Sequence, residues 1–188
     1  MALISRRNDE INSLDRRRKL LLAGMGAFTV GGASFAVAQT AAVSPEPAAP
    51  KVELVYTATV EIAPMLLLGD SALGERRMVP ITGGTFEGPG LRGKVLAGGA
   101  DRQLIRKDGA RLLDALYEMQ TDDGAILTVH NKVLIHDVSP EKRYAFSSIE
   151  IAAPEGKYGW LNRLVYVGTL QGLMPQRAAV VIRTYKLI

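Results

Sequence analysis

The sequence predicts an all-β protein, folded as a single small antiparallel β-barrel of about eight to ten strands. Three observations predict it. Apolar and polar residues alternate with period two along Val52–Ile62, the pattern of a half-buried strand. Turn signals made of Gly, Pro and Asp recur about every 10–15 residues after that point. No helical periodicity is sustained anywhere in the same stretch. An open sandwich fits the pattern too. Closure is favoured because it removes exposed strand edges, and a barrel of this size encloses room for one small ligand.

The elements follow in chain order. Residues 1–38 read as an export leader. Arg16-Arg17-Arg18-Lys19 runs into Leu20-Leu21, a twin-arginine pattern, and Leu20 to Ala38 carries no charge. Ala36-Val37-Ala38 is the small-x-small pattern that a signal peptidase cuts, so cleavage is expected after Ala38 and the mature chain in the periplasm. The Tat translocase and signal peptidase are then partners during export. A retained membrane anchor is the competing reading, since 19 uncharged residues just span a bilayer. Gly24, Gly26, Gly31 and Gly32 dilute the apolar run and favour removal. Residues 39–51 hold three Pro among Ala and form a linker with nothing large to bury.

The barrel domain spans 52–188. After Val52–Ile62, Pro64 and Gly69-Asp70 break the chain. Strand-like pieces follow at Arg76–Ile81, Thr85–Phe86, Leu91–Leu96 and Asp101–Ile105. Ala110–Thr121 fits both a helix face and a strand. The Asp123-Gly124 turn that follows and the alternating run Ala125–Leu134 decide for a strand. Tyr144–Ile151, Trp160–Gly168 and Ala178–Ile188 complete the set.

Composition narrows the function. With no Cys, disulfides, thiolate nucleophiles, iron–sulfur clusters and Cys-type zinc sites are excluded. His130 and His136 lie about 20 Å apart on an extended strand, too far to share a metal. The formal charge of +4 is mostly the leader's: residues 1–38 carry +3, which leaves +1 on the other 150. A near-neutral domain lacks the basic stripe that nucleic acid requires. No phosphate loop, zinc-protease motif, nucleophile elbow or dinucleotide fingerprint occurs. Neither cofactor nor metal is expected.

Seven glycines crowd into Gly83–Gly99. Strand-like pieces flank them rather than a helix start, so they read as bends and bulges that curve a barrel, not as a phosphate cradle. Two acids share this segment, Glu87 and Asp101. Each is either a solvated turn carboxylate or a general base placed at a barrel mouth.

Several motifs here carry a family resemblance. They are Ile81–Gly88, Leu91-Arg92-Gly93, Gly98-Gly99-Ala100-Asp101, Thr121–Ala125 and Tyr158–Arg163. In this order they resemble domain-of-unknown-function family 3237, also called uncharacterised protein family 0311, across Val52–Ile188. The resemblance implies a calycin-like or allene-oxide-cyclase-like barrel. It does not supply a function, and the twin-arginine leader departs from the family's usual chain.

Within the matched motifs, Asp123 is a third candidate acid, against the alternative that Asp123-Gly124 only sets a turn. Tyr158, Trp160 and Asn162 alternate, so on a strand they share one face, an aromatic and amide lining suited to a small molecule. Arg163 and Arg77 suit bidentate binding of a carboxylate or enolate, or else surface ion pairs. Tyr117 suits donation to an oxyanion. The residues favour an exported barrel that binds a small organic molecule through Tyr117, Trp160, Asn162, Arg163 and Arg77. The alternative is a cofactor-free isomerase, cyclase or lyase using Glu87, Asp101 or Asp123 for proton transfer. A structural subunit of an exported complex is a third reading, and a homo-oligomer is compatible with all three.

Overall fold

The computed structural model describes residues 49–139 and 142–188. The leader 1–38 and linker positions 39–48 lie outside the described residues. The strands are β1 (Val52–Ile62), β2 (Leu66–Ser71), β3 (Gly74–Gly88), β4 (Leu91–Val95), β5 (Ala100–Arg106), β6 (Arg111–Thr121), β7 (Ile126–Ser139), β8 (Lys142–Ala152), β9 (Tyr166–Gly172) and β10 (Ala179–Leu187). A short 3-10 helix, Gly159–Arg163, precedes β9.

The fold is a closed antiparallel barrel of eight strands with two more added to it. The ring runs β1, β10, β9, β8, β7, β6, β5, β3 and back to β1. β3 is 15 residues long and holds four partners. Its first half pairs with β2 and β5, and its second half with β1 and β4. Following paired residues from Arg77 on β3 gives Gln103, Leu113, Val133, Ser147, Gly168, Thr184 and Tyr56. Thr57, beside Tyr56, pairs with Glu87, ten positions beyond Arg77 on the same strand. That stagger is what tilts the strands and closes the ring.

The period-two pattern sets which residues face in. On β6, Leu113, Ala115, Tyr117, Met119 and Thr121 are buried, while alternate residues are more exposed. Ala110–Thr121 is thus a strand, as the turn after it required. The glycine-rich segment lets strands approach. A Cβ on Gly84 would lie 2.1 Å from the Thr59 carbonyl oxygen of β1, and its φ of +139° is one that side chains avoid.

Three local expectations are corrected. First, Gly83-Gly84 does not interrupt the chain, and one strand runs from Gly74 to Gly88. Second, β2 forms where Pro64 and Gly69 were read as a break. A register shift between Leu67 and Gly69, with Gly69 at φ +82°, keeps the pairing with β3. Third, Trp160–Gly168 is not one strand. The chain turns through the 3-10 helix and begins β9 at Tyr166. Tyr158 and Leu161, three apart, eclipse on one side of that turn and bury in the core beside Val55, Leu91 and Met119. Burying both ends of that spacing is what an extended strand cannot do. Trp160, Asn162 and Tyr158 therefore do not share a face.

Candidate functional site

The barrel interior holds two hydrophobic clusters. The larger runs through Tyr56, Val60, Ile81, Tyr117 and Ile182, and the smaller consists of Leu113, Val133 and Ile135. Between them lies a cavity of about 80 Å³ lined by members of both. Its wall is mostly aliphatic: Val60, Ile81, Val133 and Ile182 from four different strands. Four polar side chains enter it, Asp101, Gln103, Tyr117 and Asn131. An apolar wall with a few directing polar groups is the composition of a small-molecule site.

Strand register places these groups. Asp101 on β5 pairs with Val79 on β3 and Ala115 on β6, and Ala115 pairs with Asn131 on β7. All lie on the inward phase. The Asp101 carboxylate accepts from Gln103 Nε2 at 2.6 Å and from the Asp114 backbone N–H at 3.0 Å. Burial pushes its carboxyl above the ordinary range, and these two hydrogen bonds offset only part of that rise.

Tyr117 and Asn131 are each 1% exposed. Neither the Tyr117 hydroxyl nor either end of the Asn131 amide has a hydrogen-bond partner within the protein. The same holds for the Tyr56, Ser147 and Thr184 hydroxyl oxygens. Tyr56, Tyr117 and Thr184 are neighbours, yet none of their hydroxyls meets another in hydrogen-bond geometry. Burial pushes the Tyr56 phenol up to about 12 and raises Tyr117 as well, so both stay protonated as donors. Five buried polar side chains without partners is unusual, since native interiors pair nearly all such groups.

Of the eight residues singled out in the sequence, the structure brings Asp101 and Tyr117 to this cavity. Arg77 lies just beyond its rim, on the same strand phase as Val79 and paired in register with Gln103. Its guanidinium is engaged by Glu75 through contacts of 2.8 and 2.9 Å, and this holds the Glu75 carboxyl below its ordinary range. The other five lie elsewhere. Glu87 is exposed on the outer face of β3, bordering a shallow groove with Thr57, Thr85 and Arg92. Asp123 lies in the β6–β7 turn at the opposite end of the barrel. It accepts from Lys157 Nζ at 2.6 Å, Thr121 Oγ1 at 2.5 Å and Tyr158 OH at 2.8 Å. Those partners push its carboxyl far below the ordinary range, the reverse of what a general base at neutral pH needs. Asn162 clamps the Ala153 backbone: its Nδ2 donates to the carbonyl at 2.9 Å and its Oδ1 accepts from the N–H at 2.8 Å. Trp160 and Arg163 are exposed on the 3-10 helix.

Sequence reasoning missed Asn131, Ser147 and Thr184. The signal was present. In Leu127, Val129, Asn131, Val133 and Ile135, one amide occupies an apolar position of a period-two run. Among the described residues, no three of His, Asp and Glu gather in a metal-ligating arrangement.

A family model described as a protein of unknown function, DUF3237, matches residues 50–187. The chain belongs to this family. A DUF3237-type relative from Rhodopseudomonas palustris, a UPF0311 protein, is 31% identical over 132 residues, covering 63% of this chain and 86% of its own. A hydroalkoxylation enzyme of Penicillium herquei is 28% identical over 142 residues, 76% of this chain and 87% of its own. A solved β-barrel-like protein from Acinetobacter baumannii superposes with a TM-score of 0.70 at 34% identity, covering 77% of this chain and all of that one. These likenesses place the DUF3237 barrel itself beyond argument, and the strand ring described above is its form in this chain.

Proposed function

We propose that this DUF3237 barrel binds a small, mainly apolar organic molecule in the cavity beside Asp101. The observation that carries the proposal is the cavity itself: aliphatic walls, four converging polar side chains, and a buried carboxyl among them. The exposed candidates Glu87, Trp160 and Arg163 add nothing to such a pocket, and the ligand contacts fall to Tyr117, Asn131, Gln103 and Asp101.

A second reading adds chemistry at the same place. Asp101 is positioned to give or take a proton from a bound molecule without any cofactor. Adding an O–H across a carbon–carbon double bond requires proton transfer of this kind, and a relative of this chain carries out hydroalkoxylation. That kinship supports the reading without fixing the substrate.

The test is native mass spectrometry of the protein from its own host, with Ala115→Leu as the control. Ala115 lines the cavity, and a larger side chain there fills it. A small-molecule adduct on the wild type that disappears in the folded variant is the expected result. An adduct that persists unchanged places binding elsewhere and overturns the proposal. We propose in addition that the chain works outside the cytoplasm, on the strength of Arg16-Arg17 and Ala36-Val37-Ala38. Exchange of both arginines for lysine is expected to leave it in the cytoplasm; unimpaired export of that variant would refute the twin-arginine route.

A further inference from the structure

We propose that the inner part of the cavity recognises a neutral group carrying a hydrogen-bond acceptor beside a donor, a carboxamide-like edge, and that Asn131 is the residue that reads it. The inference rests on the cavity-binding proposal and goes on to name the chemistry of the ligand.

Asn131 carries the argument. Its side chain is 1% exposed, lines the cavity, and leaves both Nδ2 and Oδ1 without a partner. A primary amide offers donors and an acceptor side by side in a fixed plane, so its complement presents the same two functions in reverse order. A lone ketone or ether satisfies half of it. The Tyr117 hydroxyl, which also lines the cavity, rotates and can donate or accept, so it tolerates many ligands. The Asn131 fork does not, and specificity falls to it.

Charge and size narrow the class. None of the residues lining the cavity is a Lys or Arg, and Arg77 beyond the rim is held by Glu75. A buried anion would meet no countercharge there, and a cation would be drawn to the Asp101 carboxyl rather than to the paired donor and acceptor of Asn131, so the group Asn131 reads is neutral. A cavity of about 150 Å³ holds benzene, with six heavy atoms. By that ratio the space here takes about three heavy atoms, the carbon, oxygen and nitrogen of an amide. The body of the ligand has no room left inside and leaves through the cavity's open side, past the partly buried Ile62, Leu170 and Val180.

The test compares three probes of one chain length by NMR titration of the purified protein: hexanamide, 2-heptanone and, at pH 8, hexanoate. Hexanamide is expected to bind at least tenfold tighter than 2-heptanone, because the ketone leaves one Asn131 function unpaired, and hexanoate is expected to bind weakest. Asn131→Leu, which keeps the number and branching of the side-chain heavy atoms and removes both polar functions, is expected to lose the preference for the amide while still taking the ketone. If that variant does not fold, the wild-type ranking decides alone. Equal binding of amide and ketone, or tighter binding of hexanoate, overturns this inference and leaves the cavity-binding proposal standing. Failure of all three to perturb the lining residues overturns both.

Discussion

Tyr117→Phe removes one oxygen from the barrel interior, and the sign of its effect reports directly on the unpaired polar groups. The Tyr117 ring is buried in the main cluster, and its hydroxyl has no partner within the protein. A buried, unpaired hydroxyl costs about 1–3 kcal/mol relative to its hydration in the unfolded chain. Phe keeps the ring and its packing, and the small gap left behind beside an existing cavity returns only part of that gain. The net expectation is stabilisation by about 1 kcal/mol, a rise of roughly 2–5 °C in Tm for a domain of this size. Urea unfolding of the two proteins, with m unchanged, measures it. A hydroxyl that is well hydrogen-bonded would give the opposite sign, a loss of about 1 kcal/mol. Destabilisation of that order would refute the claim that the Tyr117 hydroxyl is unsatisfied and would remove it from the groups left free for a ligand.

Three further predictions follow from the same geometry. Asp101 has its carboxyl raised by burial, so between the ordinary carboxyl range and that raised value the folded state binds more protons than the unfolded one. Stability therefore falls as pH rises through that window. Asp101→Asn does not titrate there; its one acceptor oxygen can keep the Asp114 N–H, while Gln103 must turn its amide over to accept from the new Nδ2. Its urea midpoint relative to the wild type should rise with pH, and a relative midpoint that stays flat or falls would contradict this. Asp123 behaves oppositely. Its carboxyl is depressed, chiefly by Lys157, so its contribution is present above the ordinary carboxylate range and is lost as pH falls below it. Lys157→Met should raise the acid-unfolding midpoint and speed hydrogen exchange across Tyr158–Arg163; an unchanged acid limb would show that the Lys157–Asp123 contact does not hold this segment. Gly84→Ala forces a Cβ to 2.1 Å from the Thr59 carbonyl, which should cost about 3 kcal/mol or more, and a soluble variant with wild-type melting would show that the strands separate freely.

Much of the barrel was legible in the sequence because period-two alternation is a local signal. β6 shows it over its whole length, and β1 shows it from Tyr56 onward, after the register shift between Leu54 and Tyr56. β2 was not legible: Leu66, Leu67 and Leu68 are all exposed, with no buried alternate face to mark them, and the strand exists only through its pairing with β3. The Tyr158–Arg163 segment misled because alternation of Tyr, Trp and Asn mimics a strand, whereas the burial of Tyr158 and Leu161 at a spacing of three decides for a 3-10 turn. Asp101 was legible as one acid among three. What separates it from Glu87 is phase: Glu87 follows the buried Phe86 and must face out, while Asp101 pairs with Val79 and Ala115 on the inward side. That distinction needs the register between strands, which no single strand encodes.

The arrangement of the interior also argues that the cavity is more than imperfect packing. At one end Tyr158 and Leu161 plug the barrel, and Asp123, Lys157 and Thr121 tie that plug to the β6–β7 turn. Towards the other end, where Gln103 and Leu113 approach the β5–β6 turn, the two hydrophobic clusters fail to merge. The polar groups Asp101, Tyr117 and Asn131 lie in the gap between them. A random defect would leave a void with aliphatic walls. Here Tyr117 and Asn131 bury polar atoms without partners and Asp101 buries a carboxyl, all of which are expected to cost stability in the empty barrel, and Tyr117→Phe and Asp101→Asn are small chemical changes. Interiors in which simple substitutions stabilise are those held away from their optimum by function. Tyr117→Phe and Asp101→Asn should therefore separate two quantities, raising the melting temperature while weakening the bound adduct. Variants that gained stability with no loss of ligand would show the gap to be structural, and the barrel's function would have to be sought on its outer face.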